Sequence, residues 1–411
     1  MAVDLISDGA AYNWEQALSQ RSVAAAWSPW ALNNLPKPAV TPIELTGGVP
    51  DPASLPIEEF IAANETVLRR EGKFALMYGG PQGYPGLSEW LAERINAAEG
   101  LDVNAGNFVI TCGSAGGLEN LCETFLDPGD VVIVEKPTFP GSLRTIISCM
   151  PQIEGVPVDR DGLVPAALED VIARVAAQGK RPKLLYTISN YHNPAGTTLT
   201  LERRKAVAEI CRRHDILIIQ DDAYGAIGFE HEPTPSFYSL TGGTGAVLLG
   251  TFSKTLATGL RVGWIMGEKP LIDAVTRMRF DMGVSPWSTR VITEFCRSGG
   301  YDAHLANVIA IYRHKRDAML AALDERCSRF ATWDVPRGGF FLWLQLNEDI
   351  DPDRLRVAAN DEGVVYVGGA PFFNDGTGHD RVRLCYSNVA EREIPEAVMR
   401  FGRALERAVR E

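Results

Sequence analysis

Within GTFSKTLATGLRVGW, the stretch from Gly250 to Trp264, the hydroxyls of Thr251 and Ser253, the amine of Lys254 and the guanidinium of Arg261 fall in one short turn. Two hydroxyls and a guanidinium that close together suit an anion such as phosphate. A lysine among apolar neighbours has a depressed pKa, because desolvation disfavours its ammonium, and can then condense with an aldehyde as the free amine. An aldehyde that also carries a phosphate, as pyridoxal 5'-phosphate does, would satisfy both halves of the turn. A surface Ser-Lys turn beside an unrelated arginine would have the same letters, so the elements around it must decide.

The apolar run Ala246–Leu249 reads as a buried parallel strand that delivers the turn. A strand at Phe108–Thr111 feeds Cys112-Gly113-Ser114-Ala115-Gly116-Gly117, which opens a helix through Leu118, Leu121 and Phe125. A strand, a small-residue turn and a helix N-terminus aim unpaired N–H groups at an anion, so this turn is a second phosphate-directed element. The G-x-G-x-x-G fingerprint and the P-loop lysine are both missing there. The strand Val131–Val134 ends near Phe139, an aromatic that either stacks on a flat ring or plugs the top of the sheet. Leu184–Ile188 leads into SNYHNPAG (Ser189 to Gly196) and a helix at Leu201–His214, and Ile216–Gln220 ends in Asp221-Asp222-Ala223-Tyr224. Strands interleaved with helices predict an α/β fold with a mostly parallel sheet, whose ligand site lies outside the carboxyl ends of the strands. Ser114, Phe139, Asn193, Asp221, Tyr224 and Lys254 all fall at such ends.

Residues 1–45 read as an arm carrying a helix from Trp14 to about Ala31, with Trp27 and Trp30 as staples to the body or as one wall of a substrate pocket. Residues 46–295 then form a large lobe and 296–411 a smaller α+β lobe. The small lobe holds a periodic helix over His304–Leu323, strands at Phe340–Leu346, Val364–Val367 and Val382–Tyr386, a helix at Pro352–Glu362, and a terminal helix from Glu391. The run GGPQGYPG (Gly79 to Gly86), directly after Tyr78, reads as neither helix nor strand, and a helix is expected from Leu87 to Ala98.

The chain has 411 residues, 45% of them hydrophobic, enough to fill more than one core. Its formal charge of −12 argues against nucleic acid or an anionic membrane as a partner. Seven cysteines occur singly with no C-x-x-C pair, and the histidines show no ligand spacing, so neither a disulfide framework nor a metal site is expected. No basic segment precedes an apolar run at the N-terminus and no window approaches a membrane span, which makes the cytoplasm the expected location.

As an ordered set these motifs resemble the fold-type I pyridoxal-phosphate enzymes, and within them the class I/II aminotransferases of the 2-aminoadipate and kynurenine branch, from about residue 43 to the C-terminus. The resemblance implies a large domain with a seven-stranded-type sheet, a smaller α+β domain, and a homodimer with shared active sites. It implies that Lys254 holds the cofactor as a Schiff base, that Asp221 pairs with the pyridine nitrogen, and that Tyr224 and Asn193 bind the ring oxygen. Phe139 would stack on the ring. Gly113, Ser114, Ala115, Thr251, Ser253 and Arg261 would hold the phosphate, with Tyr78 contributed by the partner subunit. Arg383, in RVRLCYS, would grip the substrate α-carboxylate beside Gly48.

Some positions depart from the family pattern. Ser189 replaces a proline, Ala195 a common threonine, Thr258 a common proline, and His192 a frequent glutamine. Relatives that accept acidic side chains often carry an arginine in the N-terminal helix, whereas Ala26-Trp27-Ser28-Pro29-Trp30-Ala31 has none. The expected reaction is transfer of an amino group from an apolar or aromatic L-amino acid to a 2-oxo acid such as 2-oxoglutarate, through ping-pong chemistry. The same motifs would serve a lyase, cyclase or oxidase, since they specify carbanion formation and not its fate. A ligand-sensing regulator would need a basic helix-turn-helix module before residue 50, and none is visible.

Overall fold

The computed structural model describes residues 13–25, 38–230 and 234–410. An eight-stranded sheet forms its centre, in the order Phe108–Thr111, Gly263–Met266, Ala246–Thr251, Leu217–Asp221, Pro182–Thr187, Val131–Lys136, Gln152–Asp159 and the two-residue edge strand Gly162–Leu163. The five strands from Ala246–Thr251 to Gln152–Asp159 run parallel. Gly263–Met266 lies antiparallel to both its neighbours. Parallel strands have both faces covered by crossover helices, and hence read as continuous apolar runs. Val131–Val134 shows the division of labour: Val131 and Ile133 enter the core on one face of the sheet, Val132 and Val134 the core on the other.

A second, antiparallel sheet has the order Ala331–Trp333, Phe341–Leu346, Arg381–Cys385 and Val367–Gly368. Its period of two puts Val382 and Leu384 into the core with Leu342 and Leu344, each burial worth roughly 1.5–3 kcal/mol, and turns Arg381, Arg383 and Cys385 to the opposite face. The short strand Ile43–Glu44 pairs with Val364–Val365. Leu45 O then accepts from Cys385 N at 2.9 Å, which carries Thr46–Gly48 alongside the strand bearing Arg383.

The strands expected between Phe108 and Leu249 are present, as is the helix Pro352–Glu362, started by Asp351, whose carboxylate accepts from Asp353 N, and stopped by Gly363 at φ +69°. Three expectations need correcting. The arm helix is broken into Trp14–Ala17 and Gln20–Ala24, because Ser19 adopts an extended conformation and caps the second piece through Ser22 N. The remainder of that expected helix, with Trp27 and Trp30, lies outside the described residues. The helix after GGPQGYPG begins inside that run, at Pro85, whose missing N–H costs nothing in the first turn. The strand expected at Val364–Val367 is two short pieces that pair with different partners. No helix among the described residues is long and apolar enough to cross a membrane.

Candidate active site

The carboxyl ends of the parallel strands open onto a cavity of about 610 Å³ whose walls include Gly48, Phe139, Asn193, Tyr224, Lys254 and Arg383. Six sequence-selected residues therefore share one space: Phe139, Asn193, Tyr224 and Lys254 follow four strands of the large sheet, Gly48 follows the short strand Ile43–Glu44, and Arg383 lies on a strand of the small sheet.

Lys254 follows the strand Ala246–Thr251 and donates from Nζ to Gly48 O at 2.7 Å. Its nitrogen lies 5.9 Å from the centroid of the Tyr224 ring. Burial, reinforced by the charges of Arg383 and Arg261 and opposed by Asp221, brings its pKa down to about 8. About a tenth is then the free amine at pH 7, far more than for an ordinary lysine, and this is the form that attacks a carbonyl. Gly48 fits this role because a Cβ there would come within 2.6 Å of Phe341 Cζ.

Asp221 ends the strand Leu217–Asp221. Its Oδ2 accepts from Tyr186 Oη at 2.8 Å, and Tyr186 also reaches Ser142 Oγ at 2.8 Å. Oδ1 is buried and has no hydrogen-bond partner among the described residues. Burial raises the Asp221 pKa to about 6, against the lowering effect of the Tyr186 hydrogen bond. A buried carboxylate oxygen without a donor is expensive, so its position suits a protonated nitrogen supplied by a ligand.

Beside Lys254, Thr251 Oγ1 donates to Ser253 Oγ at 2.9 Å, and Arg261 Nη1 donates to Ser253 Oγ at 3.3 Å. Arg261 Nη2 donates to Cys112 O at 3.2 Å, joining this turn to the N-terminus of the helix Gly113–Phe125. Gly113 has φ +70°, and a Cβ on it would meet Arg261 Nη2 at 2.8 Å. Ser114 and Ala115 occupy the same first turn. The arrangement is a cradle of hydroxyls, guanidinium and helix N–H groups, as anion binding requires.

Arg383 is buried. Its Nη1 donates to Asn193 Oδ1 at 3.0 Å and its Nη2 to Thr46 O at 2.7 Å, while the guanidinium lies 4.3 Å from the Phe341 ring centroid. Its Nε has no partner among the described residues. Tyr78 stands apart: it is 86% exposed and does not line the cavity of its own chain. Tyr186, Ser142, Thr46 and Phe341 were not singled out from sequence. Tyr186 sits in the apolar run Leu184–Ile188, and only the strand register, which sets it beside Ile219, two residues before Asp221, brings it to the carboxylate.

Residues 42–401 match the family model of aminotransferase class I and II. The chain is a class I and II aminotransferase. It is 31% identical to an aromatic-amino-acid aminotransferase of Thermococcus litoralis, over 88% of each chain. It is also 31% identical to a 2-aminoadipate transaminase of Thermus thermophilus, over 88% of this chain and 90% of that one. Among solved structures, the Pyrococcus horikoshii kynurenine aminotransferase in complex with pyridoxamine phosphate superposes with a TM-score of 0.88 at 28% identity, covering 96% of this chain and 98% of that one. This aminotransferase therefore shares the fold-type I architecture, and the family to which it belongs depends on pyridoxal phosphate.

Proposed function

We propose that this aminotransferase binds pyridoxal 5'-phosphate through Lys254 and moves the amino group of an L-amino acid, apolar and aromatic donors favoured, to a 2-oxo acid such as 2-oxoglutarate. The observation that carries the proposal is the meeting of a Lys254 amine with a pKa brought down to about 8 and the buried guanidinium of Arg383 on the walls of one cavity. The residues fit the cofactor: the unpartnered Asp221 Oδ1 suits a ring N–H, and the cradle of Thr251, Ser253, Arg261 and Gly113–Ala115 suits its phosphate. When bound, the cofactor supplies an aldehyde for the substrate amine and an electron sink for its α-carbon.

The chain's own residues would do the rest. Asp221 would hold a proton on the ring nitrogen, Tyr224 and Asn193 would hydrogen-bond the ring oxygen, and Phe139 would pack on the ring face. Arg383 would fix the α-carboxylate with a planar fork, so that one α-carbon bond stands perpendicular to the ring. Lys254, once free, would carry the proton between the two carbons of the 1,3 shift. The stretch 26–31 offers two tryptophans and no arginine to pair with an acidic side chain, which favours apolar and aromatic donors. The similarity to an aromatic-amino-acid aminotransferase supports that preference.

The functional unit in this reading is a homodimer in which Tyr78 completes the partner's phosphate site. Tyr78 is 86% exposed beside the exposed Leu76 and Met77, and Phe280 is 85% exposed on the segment that meets it at Gly80 and Gly283. So much exposed apolar surface suits a partner. Residues 1–45, 46–295 and 296–411 would serve as arm, cofactor domain and small domain. A donor and acceptor screen tests the proposal. Stoichiometric 2-oxo acid from aromatic or branched donors supports it, a clear preference for aspartate defeats the donor assignment, and release of ammonia or peroxide points to the lyase or oxidase outcome.

A further inference from the structure

Glu135 lies on the face of the strand Val131–Lys136 that carries Val131 and Ile133 into an apolar core. A carboxylate on such a face is costly unless donors surround it. Two do, and a third lies alongside. Thr187 Oγ1 donates to Oε1 at 2.7 Å and Ile188 N donates to Oε2 at 2.7 Å, while His192 Nε2 lies 3.1 Å from Oε2 with its N–H off the hydrogen-bond line. The other ring nitrogen, Nδ1, accepts from Ala195 N at 3.2 Å, which assigns the imidazole proton to the Glu135 side. Gly196 N donates to His192 O at 2.6 Å and His192 N donates to Thr197 O at 2.8 Å, so residues 192–197 close on themselves around the ring.

The first half of the same loop has its own anchor. Arg204, fully buried, donates from Nη2 to Ser189 O at 2.9 Å and from Nε to Leu199 O at 3.0 Å. His192 anchors the second half, and the next residue is Asn193, whose Oδ1 accepts from Arg383 Nη1 at 3.0 Å. His192 is 1% exposed and does not line the cavity, so it is not placed to exchange a proton with substrate.

We propose that His192, held by Glu135, is the positioning residue that sets Asn193 against Arg383 and so fixes the fork that receives the substrate carboxylate. The proposal rests on the reading of Arg383 as the carboxylate grip. A plain packing role would need only the ring's volume; a positioning role needs one N–H toward Glu135 and one acceptor toward Ala195 N. An amide supplies both and a leucine neither, which makes the pair of variants decisive.

The experiment compares His192→Leu and His192→Gln with wild type in two measurements. In steady state, His192→Leu should raise KM for both the amino acid and the 2-oxo acid by about 10-fold or more while kcat changes by less than about 3-fold, because Arg383 holds the carboxylate in ground and transition states alike. His192→Gln should stay within about 3-fold of wild type. In the cofactor-free protein, amide hydrogen exchange over residues 193–197 should quicken by about 10-fold in the leucine variant and not in the glutamine variant. Where His192→Leu does not fold, His192→Asn replaces it; this shorter amide reaches Ala195 N but falls short of Glu135, and the same KM rise is expected. Unchanged KM with unchanged exchange in the leucine or asparagine variant overturns the proposal, and so does a glutamine variant as impaired as the leucine one. Absence of transamination in the wild type would remove the parent reading instead, and hydrogen exchange would still decide whether His192 holds the loop.

Discussion

Tyr186 Oη donates to Asp221 Oδ2 at 2.8 Å, and the other oxygen of that carboxylate is left buried without a donor among the described residues. The carboxylate is thus held in place on one side and kept available on the other. Without ligand this arrangement is unfavourable, and the raised pKa of about 6 expresses it.

The sign of the resulting pH dependence follows from linkage. The folded protein holds the Asp221 proton more tightly than the unfolded chain, in which the ordinary value is 3.8. Stability of the cofactor-free protein therefore loses this contribution as pH rises from about 4 to about 6, by on the order of 2–3 kcal/mol. Asp221→Asn removes the titration. Urea unfolding at pH 4.5 and 7.5 should show the variant gaining on wild type at the higher pH, and identical pH slopes would contradict the assignment. Turnover of the loaded variant should fall by about 100-fold or more while cofactor is retained.

Arg383 offers a flat fork, and its neighbours Asn193, Thr46 O and Phe341 are arranged around that shape. Arg383→Lys keeps the charge and loses the geometry. We expect kcat/KM for amino donors to drop by about 100-fold, mostly through KM, with the cofactor absorbance unchanged. Equal KM in the two proteins would show that the carboxylate is bound elsewhere.

Gly48 ties the small sheet to the reactive amine through its carbonyl, 2.7 Å from Lys254 Nζ. A methyl there would stand 2.6 Å from Phe341 Cζ, inside contact distance. Gly48→Ala should cost about 1–3 kcal/mol of stability and shift the carbonyl away from the lysine. Denaturant unfolding and the pH midpoint of Lys254 reactivity measure the two effects. A variant matching wild type in both would mean that the loop yields freely.

Much of this was legible in the sequence because the parallel strands are short apolar runs ending in chemically distinctive letters. Ala246–Thr251 before Ser253 and Lys254, and Leu217–Asp221 before Tyr224, announce both the strand and its functional end. The strand Gln152–Asp159 was hidden: it lies toward the sheet edge, is only partly buried, and contains Gly155 and Pro157. The helix Ile57–Ala75 was also unread, since it starts at Pro56 without a side-chain cap and exposes Ile57, Ile61 and Leu68. Long-range polar pairs were beyond reach. Glu135 and His192 are 57 residues apart, and nothing in their local patterns says that they meet across two adjacent strands.

A shared site can be tested by complementation. Tyr78→Ala and Lys254→Ala chains, each inactive or weak alone, should on subunit exchange recover activity toward roughly a quarter of wild type, since a random mixture places Lys254 and a partner Tyr78 together in about that share of sites. No recovery, with exchange verified by mass, would place Tyr78 outside the partner's site.

Everything turns on the amine of Lys254, and chemical capture reads it directly. The protein is loaded with pyridoxal phosphate, reduced with borohydride and mapped by peptide mass spectrometry, and the rate of capture is followed against pH. The account predicts a phosphopyridoxyl group on Lys254, a capture rate rising with a midpoint near the lysine's pKa of about 8, and loss of the reducible absorbance band in Lys254→Ala. Label on a different lysine, or a band that persists in Lys254→Ala, would contradict it.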